Sequence, residues 1–370
     1  MTYLQSIPAW SWYVAPAFLF LITVVVFFHE LGHFSVARFF GVRVETFSIG
    51  FGRGLLKWRD KHGTQWKVGW IPLGGFVKFF GDADGASTPD REGVARMSAE
   101  DRAVAFPFKP LWQRALIVAA GPVANFILAL VILTAMFMFN GHYVRPPLVT
   151  GVKAGFPAAA AGIRTGDRIV SIDGTAIASY EEIPQIVSLS AGQSLPVVLD
   201  RGGRQITVSV IPREVEVVDR FKNKMHVGQL GIENNVAPTH VYLGPIASVA
   251  AAGDEIRRIV TTTFRALFHS STGVRQVSGF IGIGKVAGQV ASVSFLGLIE
   301  LAALLSVSIG LVNLFPIPLL DGGHLLYYAC EGVLGRPLGE RAQDVGFRLG
   351  LAVVLGMFLL ATWNDLLNLF

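Results

Sequence analysis

The sequence predicts a polytopic α-helical membrane protein with four transmembrane helices, and three observations support this fold class. Of the 370 residues, 52% are hydrophobic and only 15% are charged, whereas a soluble domain carries about 25% charged residues. Two uncharged stretches, and a third interrupted only by Glu300, reach the length of about 20 residues that crosses a bilayer, and a shorter fourth lies between Arg348 and Asp365. The basic residues, which give a net charge of +5, are concentrated in the segments between these stretches.

The uncharged stretches define the predicted spans. The first 28 residues carry no charge, and transmembrane helix 1 is predicted within residues 1–40. Helix 2 is predicted at 111–141, helix 3 at 290–319 and the shorter helix 4 at 346–365. Because the chain begins without a basic residue, its first stretch does not resemble a cleaved signal peptide.

The distribution of basic residues predicts the orientation of the spans. Segment 38–114 contains thirteen Lys and Arg residues, whereas the first 13 residues and the last 6 contain none. Since basic residues accumulate in cytoplasmic loops, we expect both termini outside the cytoplasm and segments 41–110 and 321–345 inside it. This asymmetry explains the positive charge better than binding to nucleic acid does.

The motif HELGHF, at residues 29–34, places two histidines and a glutamate at the end of the first uncharged stretch. Residues i and i+4 of a helix share a face, so His29 and His33 can bind one ion. H-E-x-x-H on a helix is the pattern of zinc peptidases, in which the glutamate, here Glu30, is the general base. Ionisable groups at membrane depth are costly unless they serve a function, which disfavours a merely structural histidine pair.

A catalytic zinc ion has three protein ligands and one open position, so a third ligand is needed at the same depth. The candidates beside the other spans are Asp321, His324, Glu300 and Glu331. Asp321 lies in NLFPIPLLDGGH, where two prolines interrupt the helix and two glycines permit close approach of the backbone. We therefore favour Asp321 as the third ligand. His324, one helical turn from Asp321, is interpreted as a structural residue, and a contact that supports the metal ligands is the alternative.

The segment 142–285 is predicted to fold outside the cytoplasm. Within 147–213, short alternating stretches between glycine-rich turns predict strands and hairpins. The stretch PAAAAGIRTGDRIVSIDG resembles the PDZ domains of bacterial proteases, which bind an extended peptide as an added strand; a small β-rich domain without a ligand is the alternative. Residues 214–285 form a connector, in which 246–269 predict an amphipathic helix that lies on the membrane surface or packs against the PDZ domain.

The motifs HELGHF, GPVANF and NLFPIPLLDGG, with the PDZ-like segment between the last two, resemble the site-2 protease family of intramembrane zinc metalloproteases. Within that family the chain is most similar to the bacterial regulator-of-sigma-E proteases, and the resemblance covers essentially the whole sequence. It implies that His29, His33 and Asp321 bind one zinc ion and that Glu30 is the general base. Enterobacterial members carry two PDZ domains in tandem, whereas this sequence shows the pattern once.

The resemblance also implies elements that handle the substrate. Family members have a membrane re-entrant β-hairpin, which corresponds to residues near 63–80 and whose core resembles PLGGFVK. Asn313 of the NxxP motif, Asn125 of GPxxNF, and the hairpin residues Gly74 and Gly75 are implied to bind substrate. For Asn125, a hydrogen bond between helices is the alternative. The complete predicted fold is four transmembrane helices, a re-entrant β-hairpin and an inserted extracytoplasmic PDZ (α+β) domain.

The implied activity is hydrolysis of peptide bonds within the transmembrane segment of single-pass proteins by zinc-bound water. The implied substrates are anti-sigma factors after a first cut and remnant signal peptides. We expect a monomer in the bacterial inner membrane, with membrane lipid and no nucleic acid as partners, a periplasmic PDZ domain and an active site toward the cytoplasm. A non-catalytic PDZ scaffold predicts a broken HExxH or LDG motif, and a metal transporter predicts acidic groups or histidines repeated along several spans; the sequence shows neither pattern.

Overall fold

The computed structural model describes residues 10–82, 93, 96–218, 224–268 and 279–367. The chain divides into two compact units, each with its own hydrophobic core. The first unit comprises residues 1–133 and 279–362, and the second comprises residues 134–278 and 363–370.

The described helices, in chain order, are α1 (Ser11–Phe39), α2 (Ala99–Val104), α3 (Leu111–Phe139), α4 (Pro157–Ala160), α5 (Glu182–Val187), α6 (Pro245–Phe268), α7 (Phe280–Ala291), α8 (Phe295–Asn313), α9 (Asp321–Leu334) and α10 (Glu340–Leu367), with a 3₁₀ turn at Phe106–Phe108. Helices α1, α3, α8 and α10 are long and apolar enough to cross a membrane. The prediction of four apolar spans is therefore confirmed.

The bounds of α8 follow from local sequence. The side chain of Ser294 caps its N-terminus by accepting a hydrogen bond from the N–H of Gly297 at 3.1 Å, as serine commonly does. Its last residue is Asn313, because Pro316 and Pro318 cannot continue a helix. The predicted span 290–319 is therefore too long at both ends.

The described strands are β1 (Val44–Arg59), β2 (Gln65–Phe79), β3 (His142–Val144), β4 (Gly151–Val152), β5 (Arg168–Ile172), β6 (Thr175–Ala176), β7 (Leu195–Arg201), β8 (Arg204–Val210), β9 (Arg213–Val218), β10 (Lys224–Gln229), β11 (Ile232–Glu233) and β12 (Thr239–Val241). Strands β1 and β2 belong to the first unit, and the remaining strands belong to the second.

Strands β1 and β2 are long, and each supplies two of the four rows of one sheet, in which the two inner rows run in the same direction. Residues 44–49 pair with 65–68 on one side and with 75–79 on the other, while 54–59 pair with 65–69. Row 75–79 consequently lies at an edge of the sheet, where its outer side pairs with no strand among the described residues. The hairpin predicted near 63–80 is thus only half of a sheet that begins earlier in the chain.

The sheet packs on the helices that follow and precede it. Phe47 is fully buried, and it shares a hydrophobic core with Val77 and Phe79 of β2, Ala37 of α1 and Ile117 of α3. Burial of apolar side chains is the main stabilising contribution to folding. This core fixes the edge row 75–79 against α1, next to the HELGHF motif.

The second unit contains a four-stranded antiparallel sheet in the order β6-β5-β7-β8, with α5 packed on its core. Strand β11 pairs with β4, and Leu230 is buried in the same core. The compact domain therefore continues past residue 213, the end predicted from the PDZ-like pattern. Its assignment as a PDZ domain stays a prediction.

An ion pair secures this domain from within. Asp167 is 1% exposed, and its carboxylate accepts hydrogen bonds from Nε of Arg201 at 2.7 Å and from the backbone N–H of Arg164 at 2.8 Å. The hydrogen bonds from Arg201, and that from Arg164, hold the pKa of the Asp167 carboxyl below its usual range. The domain therefore contains a carboxylate whose charge stabilises the fold.

The amphipathic helix predicted at 246–269 corresponds to α6. Arg258 of α6 lies 3.8 Å from Glu182 of α5, and Ser248 and Ala252 are fully buried. These contacts favour the alternative in which one face of α6 packs against the domain. Ile246 on the same helix remains 88% exposed.

Candidate metal centre

Helix α1 carries the two histidines of HELGHF on one face. The Nε2 atoms of His29 and His33 are 3.2 Å apart, and both side chains are largely buried. Gly32, between them, packs on α3, where a Cβ atom would lie 2.7 Å from the Cβ of Ala124. Gly121 of α3 faces the rings, and a Cβ there would lie 2.9 Å from Cε1 of His29. The two glycines therefore let α1 and α3 approach closely enough to bury the histidines.

Asp321 reaches the histidines because the chain turns sharply after α8. Leu319 has a φ of +95°, which an L-residue rarely adopts, and Asp321 is the first residue of α9. Gly323 packs on the turn, where a Cβ would lie 2.6 Å from Cα of Pro318. The glycines of the LDGG sequence thus allow α9 to begin directly against the turn and to hold Asp321 toward α1.

Three ligand atoms converge at this point. Oδ2 of Asp321 lies 3.2 Å from Nε2 of His29 and 3.5 Å from Nε2 of His33, and the two nitrogens are 3.2 Å apart. In a tetrahedral site with metal–ligand bonds of about 2.1 Å, donor atoms are separated by about 3.4 Å. Two imidazole nitrogens and a carboxylate oxygen at these distances fit a zinc ion with one open position.

Helix α3 contacts the other side of each histidine ring. Nδ1 of His33 lies 2.9 Å from the backbone carbonyl oxygen of Ile117, to which it donates. Nδ1 of His29 lies 3.3 Å from Nδ2 of Asn125, which is fully buried. The rings are thereby held from behind while their Nε2 atoms face Asp321.

Glu30 lies in a cavity of about 290 Å³ beside the three ligands. The edge row of β2 forms one wall, where the backbone N–H of Val77 donates a hydrogen bond to the Glu30 carboxylate. A Cβ at Gly75 would lie 3.1 Å from Cγ of Glu30, so a residue without a side chain is required next to the glutamate. The cavity is large enough for a water molecule and a segment of extended peptide.

The structure places most of the predicted site residues around this cavity. Its lining includes all four residues of the predicted zinc and base set, and three of the four predicted substrate-binding residues: His29, Glu30, His33, Asp321, Gly74, Gly75 and Asn313. Asn125 does not line it, because its side chain lies behind His29.

His324 also lines the cavity, although its interpretation from sequence was structural. It lies three residues, or about one helical turn, after Asp321 on α9. This spacing is the signal in the sequence that places the two side chains on the same face of the helix. Three described histidines line the cavity, and His324 is the one outside the three-ligand cluster.

A second cavity of about 480 Å³ lies within the second unit. Its walls are α5, which contributes Ile183 and Val187, and the segment from Val227 to Ile232. Lys153 lies at its border, 3.6 Å from Glu233. A groove between a helix and a strand is a geometry that accepts an extended peptide.

Comparison with known proteins identifies the chain's relatives. The family model described as peptidase family M50 matches residues 17–357. Two relatives are each named "Putative zinc metalloprotease": one from Agrobacterium fabrum is 42% identical over 363 residues, covering 96% of each chain, and one from Rhizobium meliloti is 43% identical over 364 residues, covering 97% of each. Metalloprotease MmpA of Caulobacter vibrioides is 42% identical over 373 residues and 94% of each chain.

Among solved structures, the PDZ domain of an SdrC-like protein from Listeria monocytogenes matches 23% of this chain and 82% of that chain, with 23% identity and a TM-score of 0.19. So slight a likeness carries no argument about the fold. The family match spans nearly the whole chain and includes the three-ligand site, α3 and α8 in full, and most of α1 and α10. The chain therefore belongs to peptidase family M50, the site-2 protease family, and is a zinc-dependent endopeptidase of the membrane.

Proposed function

We propose that the protein cleaves single-pass membrane proteins within their transmembrane segment. The observation that carries the proposal is the location of the site. His29, Glu30 and His33 belong to α1, a helix long and apolar enough to cross a membrane, and Asn313 ends another such helix, α8. A peptidase site on such helices serves a substrate that is itself in the membrane.

The edge row 75–79 provides a way to present the substrate. An intact helix hides its carbonyl groups in hydrogen bonds, so the scissile segment must first be unwound. A free strand edge holds an extended peptide through backbone hydrogen bonds, and this edge runs past Glu30. Gly74 and Gly75 keep the approach open, and Asn313 supplies an amide that pairs with the exposed substrate backbone.

The residues of the site have separate tasks. His29, His33 and Asp321 hold the zinc ion. When bound, zinc acidifies a water molecule and polarises the scissile carbonyl group. The carboxylate of Glu30 takes a proton from the attacking water and later delivers it to the nitrogen of the leaving segment.

Apolar side chains keep bulk water away from this chemistry. Val26 of α1, Val118 of α3 and Ile309 of α8 line the same cavity as Glu30. A low-dielectric wall strengthens the electrostatic interactions inside the site. The cavity thus admits the one water that reacts and limits the entry of others.

The basic segment 38–114 supports a topology in which the active site lies toward the cytoplasm, with both termini and the second unit outside the cytoplasm. For a bacterial protein, this topology corresponds to the inner membrane. The groove beside α5 is then a PDZ-type site that receives the outer end of a substrate. The proposed substrates are anti-sigma-type proteins shortened by a first cut and remnant signal peptides.

Cleavage of a defined substrate by the purified full-length protein in detergent tests the proposal. The substrate is a single-span protein with a short outer part, and the cut is located by mass spectrometry. Wild type is expected to contain about one zinc ion per chain and to cut inside the span. Glu30→Gln is expected to keep the zinc ion and to lose cleavage by at least about 100-fold.

Two results would contradict the proposal. Cutting only outside the span would show a membrane-bound peptidase that acts on exposed loops. Equal cleavage by wild type and Glu30→Gln would remove Glu30 from the role of base.

A further inference from the structure

Asn125 is a polar residue enclosed in an apolar helix, and the proposed function does not use it. Its side chain is fully buried in α3, and Oδ1 has no hydrogen-bond partner among the described residues. Leaving a buried polar atom without a partner is destabilising. Such a group in a membrane helix therefore requires a specific reason.

The neighbour of this amide is a zinc ligand. Nδ2 of Asn125 lies 3.3 Å from Nδ1 of His29, on the side of the ring opposite to Asp321. A histidine that binds zinc through Nε2 must carry its proton on Nδ1, and that proton needs an acceptor. For His33 the acceptor is the carbonyl oxygen of Ile117 at 2.9 Å. For His29 the structure offers the amide of Asn125.

We infer that Asn125 positions His29 for zinc: its side-chain oxygen accepts a hydrogen bond from Nδ1–H and leaves Nε2 free to bind the ion. This inference rests on the proposed function, because it concerns the same zinc site.

The two orientations of the amide correspond to two tautomers of His29. With Nδ2 toward the ring, Nδ1 accepts, and the proton on Nε2 points to Oδ2 of Asp321 at 3.2 Å. After rotation of the amide by 180°, Oδ1 accepts from Nδ1–H, and Nε2 is available to zinc. Oxygen and nitrogen of an amide differ little in shape, so asparagine serves both the metal-free and the zinc-bound site, whereas aspartate serves only the second.

The spacing on α3 supports this role. Ile117, Gly121 and Asn125 follow one another at intervals of four residues and therefore lie along one face of the helix. The first supplies a carbonyl to His33, the second leaves room for both rings, and the third reaches His29. One face of α3 thus orients both histidine ligands.

A role in helix packing alone makes a different prediction, and Ser306 separates the two. The hydroxyl of Ser306 on α8 donates to the backbone oxygen of Asn125 at 2.8 Å. This bond joins α3 to α8 without the asparagine side chain. Ser306→Ala is therefore a matched control that weakens the helix contact and leaves the amide beside His29 in place.

The experiment measures zinc affinity in the purified full-length protein, by competition with a chelator, for wild type, Asn125→Leu, Asn125→Asp and Ser306→Ala. Leucine keeps the number and branching of the side-chain heavy atoms but offers no acceptor, so the affinity is expected to fall about 10–100-fold, the usual effect of removing such a partner. Aspartate accepts from Nδ1–H, and its affinity is expected to equal or exceed that of wild type. Ser306→Ala is expected to stay within about twofold of wild type. The visible spectrum of the cobalt-substituted proteins, read for tetrahedral geometry, provides a second measurement that is independent of cleavage.

The outcomes separate the inference from the proposed function. If Asn125→Leu binds zinc as tightly as wild type with an unchanged cobalt spectrum, or loses no more affinity than Ser306→Ala, the inference fails and the protease proposal stands. If Asn125→Asp does not restore the affinity lost in Asn125→Leu, the acceptor role is also refuted. If wild type itself binds neither zinc nor cobalt, the ligand set is wrong and both fail together.

Discussion

Replacing Gly121 by alanine is expected to disable the zinc site while leaving the fold intact. The added methyl carbon would lie 2.9 Å from Cε1 of His29 and 2.5 Å from Cε1 of His33. Carbon atoms in contact prefer a separation of about 3.5–4.0 Å, so the rings must retreat by at least about 0.6 Å and about 1 Å respectively. Metal–ligand distances tolerate only about 0.2 Å, and neither ring can move so far and still share one ion with Asp321.

The expected loss is large because two ligands move at once. Zinc affinity should fall by at least about 100-fold, and a misplacement of about 1 Å in the reacting geometry lowers the cleavage rate about 100-fold as well. Zinc binding is measured as the zinc content after exhaustive dialysis. Stability is measured by thermal unfolding, and the cleavage rate is measured with the single-span substrate. Alanine is about 1 kcal/mol more favourable than glycine inside a helix, so unfolding is not the expected result.

Gly356 provides the matched control. It lies within the apolar helix α10, and a Cβ there would meet no atom within 4 Å. Gly356→Ala should therefore keep wild-type zinc content and activity. If Gly121→Ala also kept wild-type zinc content and activity, the histidines would not pack against α3 in the working enzyme. The close approach of α1 and α3 would then have no role in holding the zinc site.

Further predictions concern the cavity wall and the second unit. His324→Ala removes a polar group from the cavity wall and should retain zinc but lower the cleavage rate about 100-fold; unchanged activity would return His324 to a structural role. Asn313→Ala should retain zinc and raise KM more than it lowers kcat, as measured with a series of substrate concentrations. Because the pKa of Asp167 is lowered in the folded domain, the stability that its charge supplies is complete above the ordinary carboxyl pKa of about 3.9 and is lost as pH falls through the folded pKa. Hydrogen exchange of β5 and β7 should therefore accelerate in that acidic window. Arg201→Met should reduce the acid dependence and destabilise the domain, because only the backbone N–H of Arg164 would still donate to Asp167.

The membrane helices could be predicted from sequence because their signal is local. A run of apolar residues long enough to cross a bilayer identifies a span without knowledge of its neighbours. The third span was the exception. The helix breaks at residues 292–294, which leaves α7 and α8 as separate helices, but the residues at the break are apolar enough that the hydropathy does not reveal it. The sheet formed by β1 and β2 was only half predicted, because row 44–49 pairs on both sides, and such pairing depends on tertiary contacts.

The cluster of three candidate ligands could be predicted from the sequence, whereas the residues that support it could not. His29 and His33 are recognised by their spacing of four residues on one helix. Asp321 is recognised by the break that precedes it in another helix. The contact between Asn125 and His29 joins residues 96 positions apart, and no periodicity within α3 distinguishes it from a packing contact. The position of His324 on the cavity wall required the direction of α9 after the turn at Leu319.

The three residues that would hold zinc come from α1 and from the start of α9, so neither segment alone can set the distance between them. Helix α3 connects the two: it contacts His33 through Ile117 and His29 through Asn125, and Ser306 of α8 bonds to the backbone of the same asparagine. Helix α8 in turn leads directly into the turn that carries Asp321. A shift of α3 would therefore be expected to move both histidines relative to the aspartate, so we expect changes at Gly121 and Asn125 of the GPVANF sequence to alter zinc affinity although neither residue is a ligand.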